Sequence, residues 1–369
     1  MDELTINNSD WLAIFLKRTR LSPFSAAFIL FIINFIVDLL LAFLLGGLWP
    51  SAKSHGLVNE PIAFTSDLLV PSVLIGYYCW IQLAFPEIMQ SLVKEQVIAL
   101  NEKTRQIIKN ASGYTNSKWV SVLILILSLV SAFSFALSVP ISNPSYVGWV
   151  SVNPIIPWVR SLFNALSIYT GGMLILDVIV LIYVLTQIFN NRDIKVQISH
   201  PDKAGGLGVI GRFAANLGYL IGVFGILVSV SLLSNTMPQG INSIWSFFLV
   251  KVGGLVLYII AAPIIFFVPL YSAHIAMLKF RDNFLLDLGK EIDQEYSKVQ
   301  KMRGELKAAD LDDITKRIAS FRELCSQAKE FPTWPFSVQN IRKFISLSSG
   351  AILPGLMKTT VDIVSSFFK

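Results

Sequence analysis

The chain has 369 residues, 54% of them hydrophobic and only 15% charged, with a mean hydropathy of +0.62. A soluble domain carries roughly 25% charged residues, so the deficit excludes an ordinary soluble protein and marks a membrane protein. The net charge of +6 would suit nucleic acid, but cations confined to loops on one side of a bilayer give the same excess, so their positions decide.

Residues 1–24 read as an N-terminal interfacial segment. Within it "NSDWLAIFLKRTR" (8–20) offers Ser9 or Asp10 as a helix cap, followed by apolar and basic residues. Lys17, Arg18 and Arg20 then precede an apolar run of about 24 residues. That is too long for a signal peptide core of 7–15, and more apolar runs follow, so it reads as a retained anchor. Six windows are long enough to cross a bilayer, which takes about 20 residues: 25–49, 67–85, 119–139, 163–188, 213–234 and 247–272. The expectation is an all-α polytopic protein with a six-span domain over 25–272.

Lys and Arg outside these windows number 3, 5, 4 and 15 on one side and 1, 1 and 0 on the other. The positive-inside rule then expects both termini in the cytoplasm, and it removes the nucleic-acid reading. Lys251 lies one turn inside the sixth window and can snorkel, while Trp49, Trp119 and Trp245 stand at window ends, where amphipathic rings settle. Between the second and third windows, 86–118 has helical spacing (Ile88, Leu92, Val97, Leu100, Ile107), which predicts cytoplasmic extensions of the flanking spans.

Charged groups at membrane depth are costly and default to functional hypotheses. Asp38 falls near the middle of the first window, with Asn34 one turn away; Asp177 falls near the middle of the fourth, with Thr170 seven residues before it on the same face. These four residues are candidates for a cation or proton route. Alternatively, the aspartates are neutral or hydrogen-bonded and merely hold helices together. In the fifth window Gly218, Gly222 and Gly225 allow close helix packing. Pro71, Pro263 and Pro269 predict kinks.

The cytoplasmic loop 190–212 contains "SHPDKAGGLGVIGRF" (199–213), with a G-x-G-x-x-G at Gly206, Gly208 and Gly211. A dinucleotide site needs a soluble helix after the glycines and an acid about 20 residues on, whereas here the chain enters a span. The stretch reads instead as an ordered turn: Pro201 fixes it, Asp202 caps it, and Gly205 and Gly206 permit positive φ. His200, Asp202 and Lys203 are the candidates for a gate or ligand contact there.

The region 273–369 is expected to be a cytoplasmic helical hairpin plus an amphipathic tail. Leu288, Ile292, Tyr296, Val299, Met302 and Leu306 recur at helical steps, as do Leu311, Ile314, Ile318, Phe321, Leu324 and Ala328, with a turn near "KAAD". "FPTWPF" (331–336) breaks the second helix. The apolar stretch beyond it is interrupted by Pro354, Lys358 and Asp362, which favours a segment lying on the membrane face or on the hairpin over a seventh span.

"HPDKAGGLG" after a charged linker, with the late "FPTWPF", resembles a group of uncharacterised bacterial multi-span membrane proteins carrying His-Pro-Asp-x-Ala-Gly-Gly-Leu and a Trp-Pro-Phe element. The resemblance implies a bacterial inner membrane and a recurring pattern at His200, Pro201, Asp202, Gly205, Gly206, Trp334, Pro335 and Phe336, and no mechanism.

Two cysteines, Cys79 in an apolar run and Cys325 in a charged one, and three scattered histidines (His55, His200, His274) offer no metal cluster, and no nucleophile–base motif is present. No cofactor and no enzymatic activity are expected. The sequence therefore points to an ion channel or pore-like homo-oligomer in a lipid bilayer, gated from the cytoplasmic side. The alternatives are an anchored sensor or scaffold that recruits a cytoplasmic protein through its C-terminal helices, and a proton-coupled carrier.

Overall fold

The computed structural model describes residues 10–50, 56–60, 67–141, 148–190, 196–197, 200–202, 204–233, 253–301, 308–335 and scattered residues between 342 and 358. Among them there is no strand, and the helices are α1 (Trp11–Thr19), α2 (Pro23–Leu44), α3 (Val70–Lys94), α4 (Glu102–Thr115), α5 (Lys118–Ile141), α6 (Ile155–Asn190), α7 (Gly208–Leu233), α8 (Gly253–Lys301) and α9 (Ala308–Glu330). Six helical stretches are long and apolar enough to span a membrane: Pro23–Leu44, Asp67–Lys94, Glu102–Leu137, Ile155–Asn190, Gly208–Val230 and Leu255–Gln300. The protein is thus a polytopic α-helical membrane protein.

Side-chain contacts fix the levels at which these helices meet. Ile124 lies against Gly172, Ser121 Oγ is 3.1 Å from Tyr169 Oη, and Phe133 meets Trp158 edge-on, so α5 runs antiparallel to α6. Tyr114 of α4 meets Tyr183, which continues the same alignment past Lys118. Lys118 and the 84% exposed Trp119 therefore stand level with about residue 175 of α6. From Ile155 to that level α6 covers 20 residues, about 30 Å at 1.5 Å per residue, which is one hydrocarbon thickness. The remaining turns of α6 project beyond it.

The same holds for α3 and α8. Gly76 approaches Ala27 and the Pro23 carbonyl, so the start of α2 is level with about residue 78, and α3 continues 16 residues further. The sixth span and the first hairpin helix are one continuous 49-residue helix, α8, which α9 packs against. The projecting turns of α3, α6 and α8, with α4 and α9, form a helical layer at one end of the bundle, called here the hairpin end. One continuous core runs from the spans into it, including Leu92, Ile108, Leu185, Leu207, Met277 and Phe331.

Several sequence expectations are refined. Asp10 caps α1 through its side chain, and α1 buries Leu12, Ala13 and Leu16 rather than only skimming an interface. Pro71 lies at the first turn of α3, where its missing N–H costs nothing; the proline inside that helix is Pro86. In the hairpin, Leu288, Ile314, Ile318 and Ala328 are buried as the spacing predicts, while Tyr296 and Leu324 remain exposed.

The described residues of the tail do not lie along the hairpin. Phe344 stacks on Phe266 at 4.1 Å and sits over Gly218; Tyr258 Oη donates to the Ser348 carbonyl at 3.4 Å; Gly355 N–H donates to Ser229 Oγ at 3.0 Å. Lys358 Nζ donates to the Leu233 carbonyl at the last turn of α7. From Gly218 to Leu233 the tail thus keeps pace with α7 for 15 residues, about 22 Å of depth. Apolar burial against α7 and α8 outweighs the interruptions, since Pro354 stands in a helical turn and Lys358 reaches a free helix-end carbonyl.

Candidate functional site

At the end of the bundle away from the hairpin, three helices bring charges together. Asp38 is residue 16 of the 22 in α2, beyond the centre of the span rather than at it. Arg160, which falls outside the fourth sequence window, lies in the second turn of α6 and is 5% exposed. Its Nη1 donates to Asp38 Oδ2 at 2.5 Å and its Nη2 to Asp67 Oδ2 at 2.8 Å. The guanidinium also lies 5.6 Å from the ring centroid of Trp149, whose backbone N–H donates to Glu60 Oε2 at 2.9 Å. Trp149 belongs to a small apolar cluster with Ala42, Leu57 and Ile156 that closes this end.

Asn34, one turn before Asp38, is fully buried and donates from Nδ2 to the Asp67 carbonyl at 2.5 Å. Two acceptors, Asn34 Oδ1 and Asp38 Oδ1, are buried with no hydrogen-bond partner among the described residues. Buried acceptors without donors cost about 1–3 kcal/mol each, more for charged groups, so their persistence calls for an explanation. Beside them lies a cavity of about 260 Å³ lined by Asp67, Arg160, Asn164 and Ser167 with Val70 and Phe135. On α6 its lining runs only from Arg160 to Ser167, about 10 Å of helix.

The other two intramembrane candidates stand elsewhere. Thr170 is fully buried, but its hydroxyl donates to the Leu166 carbonyl of its own helix at 2.8 Å. Asp177 accepts from Gln82 Nε2 at 2.6 Å, and at residue 177 it lies level with the α4–α5 junction, not at mid-span. The window 163–188 centres α6 eight residues late at its start, which is why Asp177 looked central. Between the two levels Asp10 accepts from Tyr78 Oη at 2.5 Å and from Tyr169 Oη at 3.2 Å, an anchor for α1 that the sequence showed only as a helix cap.

The candidates in the loop before α7 form a second, separate constellation at the hairpin end. Asp202 Oδ1 accepts from Ala204 N–H at 2.8 Å and Gly206 N–H at 3.1 Å, and Oδ2 accepts from Gly208 N–H at 3.0 Å. The amides that a phosphate would need are therefore held by the loop's own carboxylate, at the first turn of α7. Gly205 (φ +67°) and Gly206 (φ +89°) both take the left-handed backbone. A Cβ at Gly205 would fall 2.3 Å from Val196 and 3.1 Å from Phe331, and one at Gly206 would fall 2.5 Å from Val97. The loop is thus clamped between the end of α3 and the end of α9.

His200 completes the clamp. Its Nε2 is 2.8 Å from Glu95 Oε2 and its Nδ1 2.7 Å from Asp202 Oδ1, so both ring nitrogens face carboxylates and the imidazolium suits the site. Asp202 N–H also approaches Nδ1 at 3.3 Å, which would require a neutral ring; the shorter contacts decide for the charged form. Burial pushes the His200 pKa down, but hydrogen bonds to Glu95 and Asp202 outweigh it and hold it above the ordinary histidine value. Burial likewise pushes Asp202 up, but the three backbone donors and His200 prevail and hold its carboxyl below the usual range.

The His200 contribution is therefore fully present below the unfolded histidine value, about 6.5, and disappears as pH rises through the raised folded one. Asp202 contributes above about 3.9 and loses its share as pH falls through its lowered value. Amide exchange of residues 204–208 should accordingly accelerate at alkaline pH beyond its intrinsic pH dependence. The excess acceleration should be absent in His200→Gln; an equal excess in both proteins would show that the imidazole is not involved.

Of the C-terminal element, Trp334 stacks on His274 at 4.0 Å, and His274 Nδ1–H donates to the Thr333 carbonyl at 2.7 Å. Pro335 is buried, whereas Phe336 and Lys203 lie outside the described residues. Phe331 and Trp334 hold the end of α9 against α8 within two turns of the His200 loop, so both sequence motifs meet at one junction. In span 5, Gly218 accommodates Phe344 and Phe266, and Gly222 and Gly225 are buried. No protein-family model matches the chain, and no curated protein or solved structure matches it.

Proposed function

We propose that this is a proton-coupled membrane transport protein whose coupling site is Asn34, Asp38, Asp67 and Arg160. The observation that carries the reading is the pair of orphaned acceptors, Asn34 Oδ1 and Asp38 Oδ1, one helical turn apart beside a cavity of mixed polar and apolar lining at membrane depth. A proton on Asp38 supplies the missing donor, because its O–H can give a hydrogen bond to Asn34. It also weakens the hold of Asp38 on Arg160 and leaves the guanidinium to Asp67, which lines the cavity. Protonation and the charge presented to a solute in the cavity are thereby linked.

The local extent of that cavity, about a third of a hydrocarbon thickness, favours a carrier over a pore within one chain. A channel would need its pore between copies, gated through the His200 junction. The scaffold reading would give the helical layer a protein partner. The resemblance noted above supports a bacterial inner membrane with the basic, hairpin end inside.

Proteoliposomes with an entrapped pH dye distinguish these. Proton entry that saturates with the imposed pH step and is lost in Asp38→Asn supports the carrier. Fast, unsaturable ion flux would instead support the channel, and a well-folded protein with no flux would remove both transport readings.

A further inference from the structure

A second cavity, of about 340 Å³, opens between α2, α3 and α7. It is lined by Pro23 and Phe24 of α2, Val73, Tyr77 and Trp80 of α3, and Asn216 of α7, and is predominantly apolar. Its position is set by three contacts: Gly76 lets α2 approach α3 closely, Tyr77 Oη donates to the Asn216 carbonyl at 3.1 Å, and Trp80 stacks on Phe213 at 5.3 Å. Pro23 starts the first span, so the cavity lies in the first turns of the membrane at the hairpin end, at the boundary between headgroups and acyl chains.

Two cations stand on or next to the elements that line it, on the side toward that boundary. Arg20 stands three residues before Pro23, at a left-handed turn that separates α1 from α2 (φ +52°). Arg212 stands one turn before Asn216 on the same face of α7. Both are exposed, and neither makes a hydrogen bond or ion pair among the described residues. An apolar slot inside the bilayer, with aromatic walls and two arginines within a turn of its lining residues that are unpaired among the described residues, matches one molecule of two-part chemistry.

We infer that this cavity is a site for an anionic phospholipid, with an acyl chain against Val73 and Trp80 and the phosphate between Arg20 and Arg212. The occupant follows from the charge at the mouth together with the depth of the slot, and the inference is independent of the transport reading. Each cation near an anionic headgroup is worth about a fivefold preference, so two favour an anionic over a zwitterionic lipid by on the order of 30-fold.

The test is native mass spectrometry of protein released from vesicles containing equal phosphatidylglycerol and phosphatidylcholine. The wild type should retain one phosphatidylglycerol per chain in strong preference to phosphatidylcholine. The exposed double variant R20Q/R212Q should retain both lipids equally, and Val73→Trp, which fills the slot, should retain neither. Equal retention of both lipids by the wild type, a preference that survives R20Q/R212Q, or undiminished retention in a folded Val73→Trp protein would each overturn the assignment.

Discussion

Arg160→Met should destabilise the protein by about 3–5 kcal/mol, the cost typical of leaving a buried charge without its partner. Asp38 is 2% exposed and takes one donor from the guanidinium; without it, neither of its oxygens has a partner among the described residues. Asp67 also loses a 2.8 Å contact, and Trp149 loses the cation beside its ring. Methionine fills most of the volume, so the loss reads as charge rather than cavity. The discriminating control is Arg160→Met with Asp38→Leu and Asp67→Asn, which removes the stranded charges as well. Denaturant midpoints of the purified protein should fall steeply for the single variant and recover most of the loss in the triple one. A triple variant as weak as the single one would mean that packing, and not charge pairing, holds these helices.

Asp202→Ala should cost about 2–4 kcal/mol, most of it local. Three backbone N–H groups lose their acceptor at about 1 kcal/mol each, the first turn of α7 loses its cap, and His200 loses one of its two carboxylates. Asp202→Asn should cost less, since its single carbonyl oxygen can still accept from part of the set. Hydrogen exchange resolved by peptide should show faster exchange over 204–208 and over the end of α9, which contacts the loop through Phe331. Faster exchange confined to the loop would sink the idea that the junction ties α3, α7 and α9 together.

The span pattern was legible because lipid imposes a length and a polarity on each crossing, and six windows recovered the six helices. Depth was harder to read. Apolar runs continue from the spans into the helical layer, as in residues 173–189 of α6, and hydropathy cannot tell burial in lipid from burial in protein. That is why Asp177 looked central and why Arg160, just outside a window, looked like a loop residue. The turn chemistry around Asp202, Gly205 and Gly206 was readable, because left-handed backbone and side-chain caps are local. The meeting of His200 with Glu95, across 105 residues, was not, and neither was the pairing of Arg160 with Asp38 across 122. Such contacts depend on helix register, which one sequence does not fix.

The course of the tail along α7 has a practical side. Residue 358 stands at the end of the bundle where α7 finishes, while α9 stands at the other. Among the described residues the chain therefore finishes at the end of the bundle away from α9. A reporter fused behind residue 358 and one inserted in the exposed turns of α9 would stand at opposite ends of the helical bundle. An antibody or a protease added to one face of an intact membrane would report whether the two ends share a compartment.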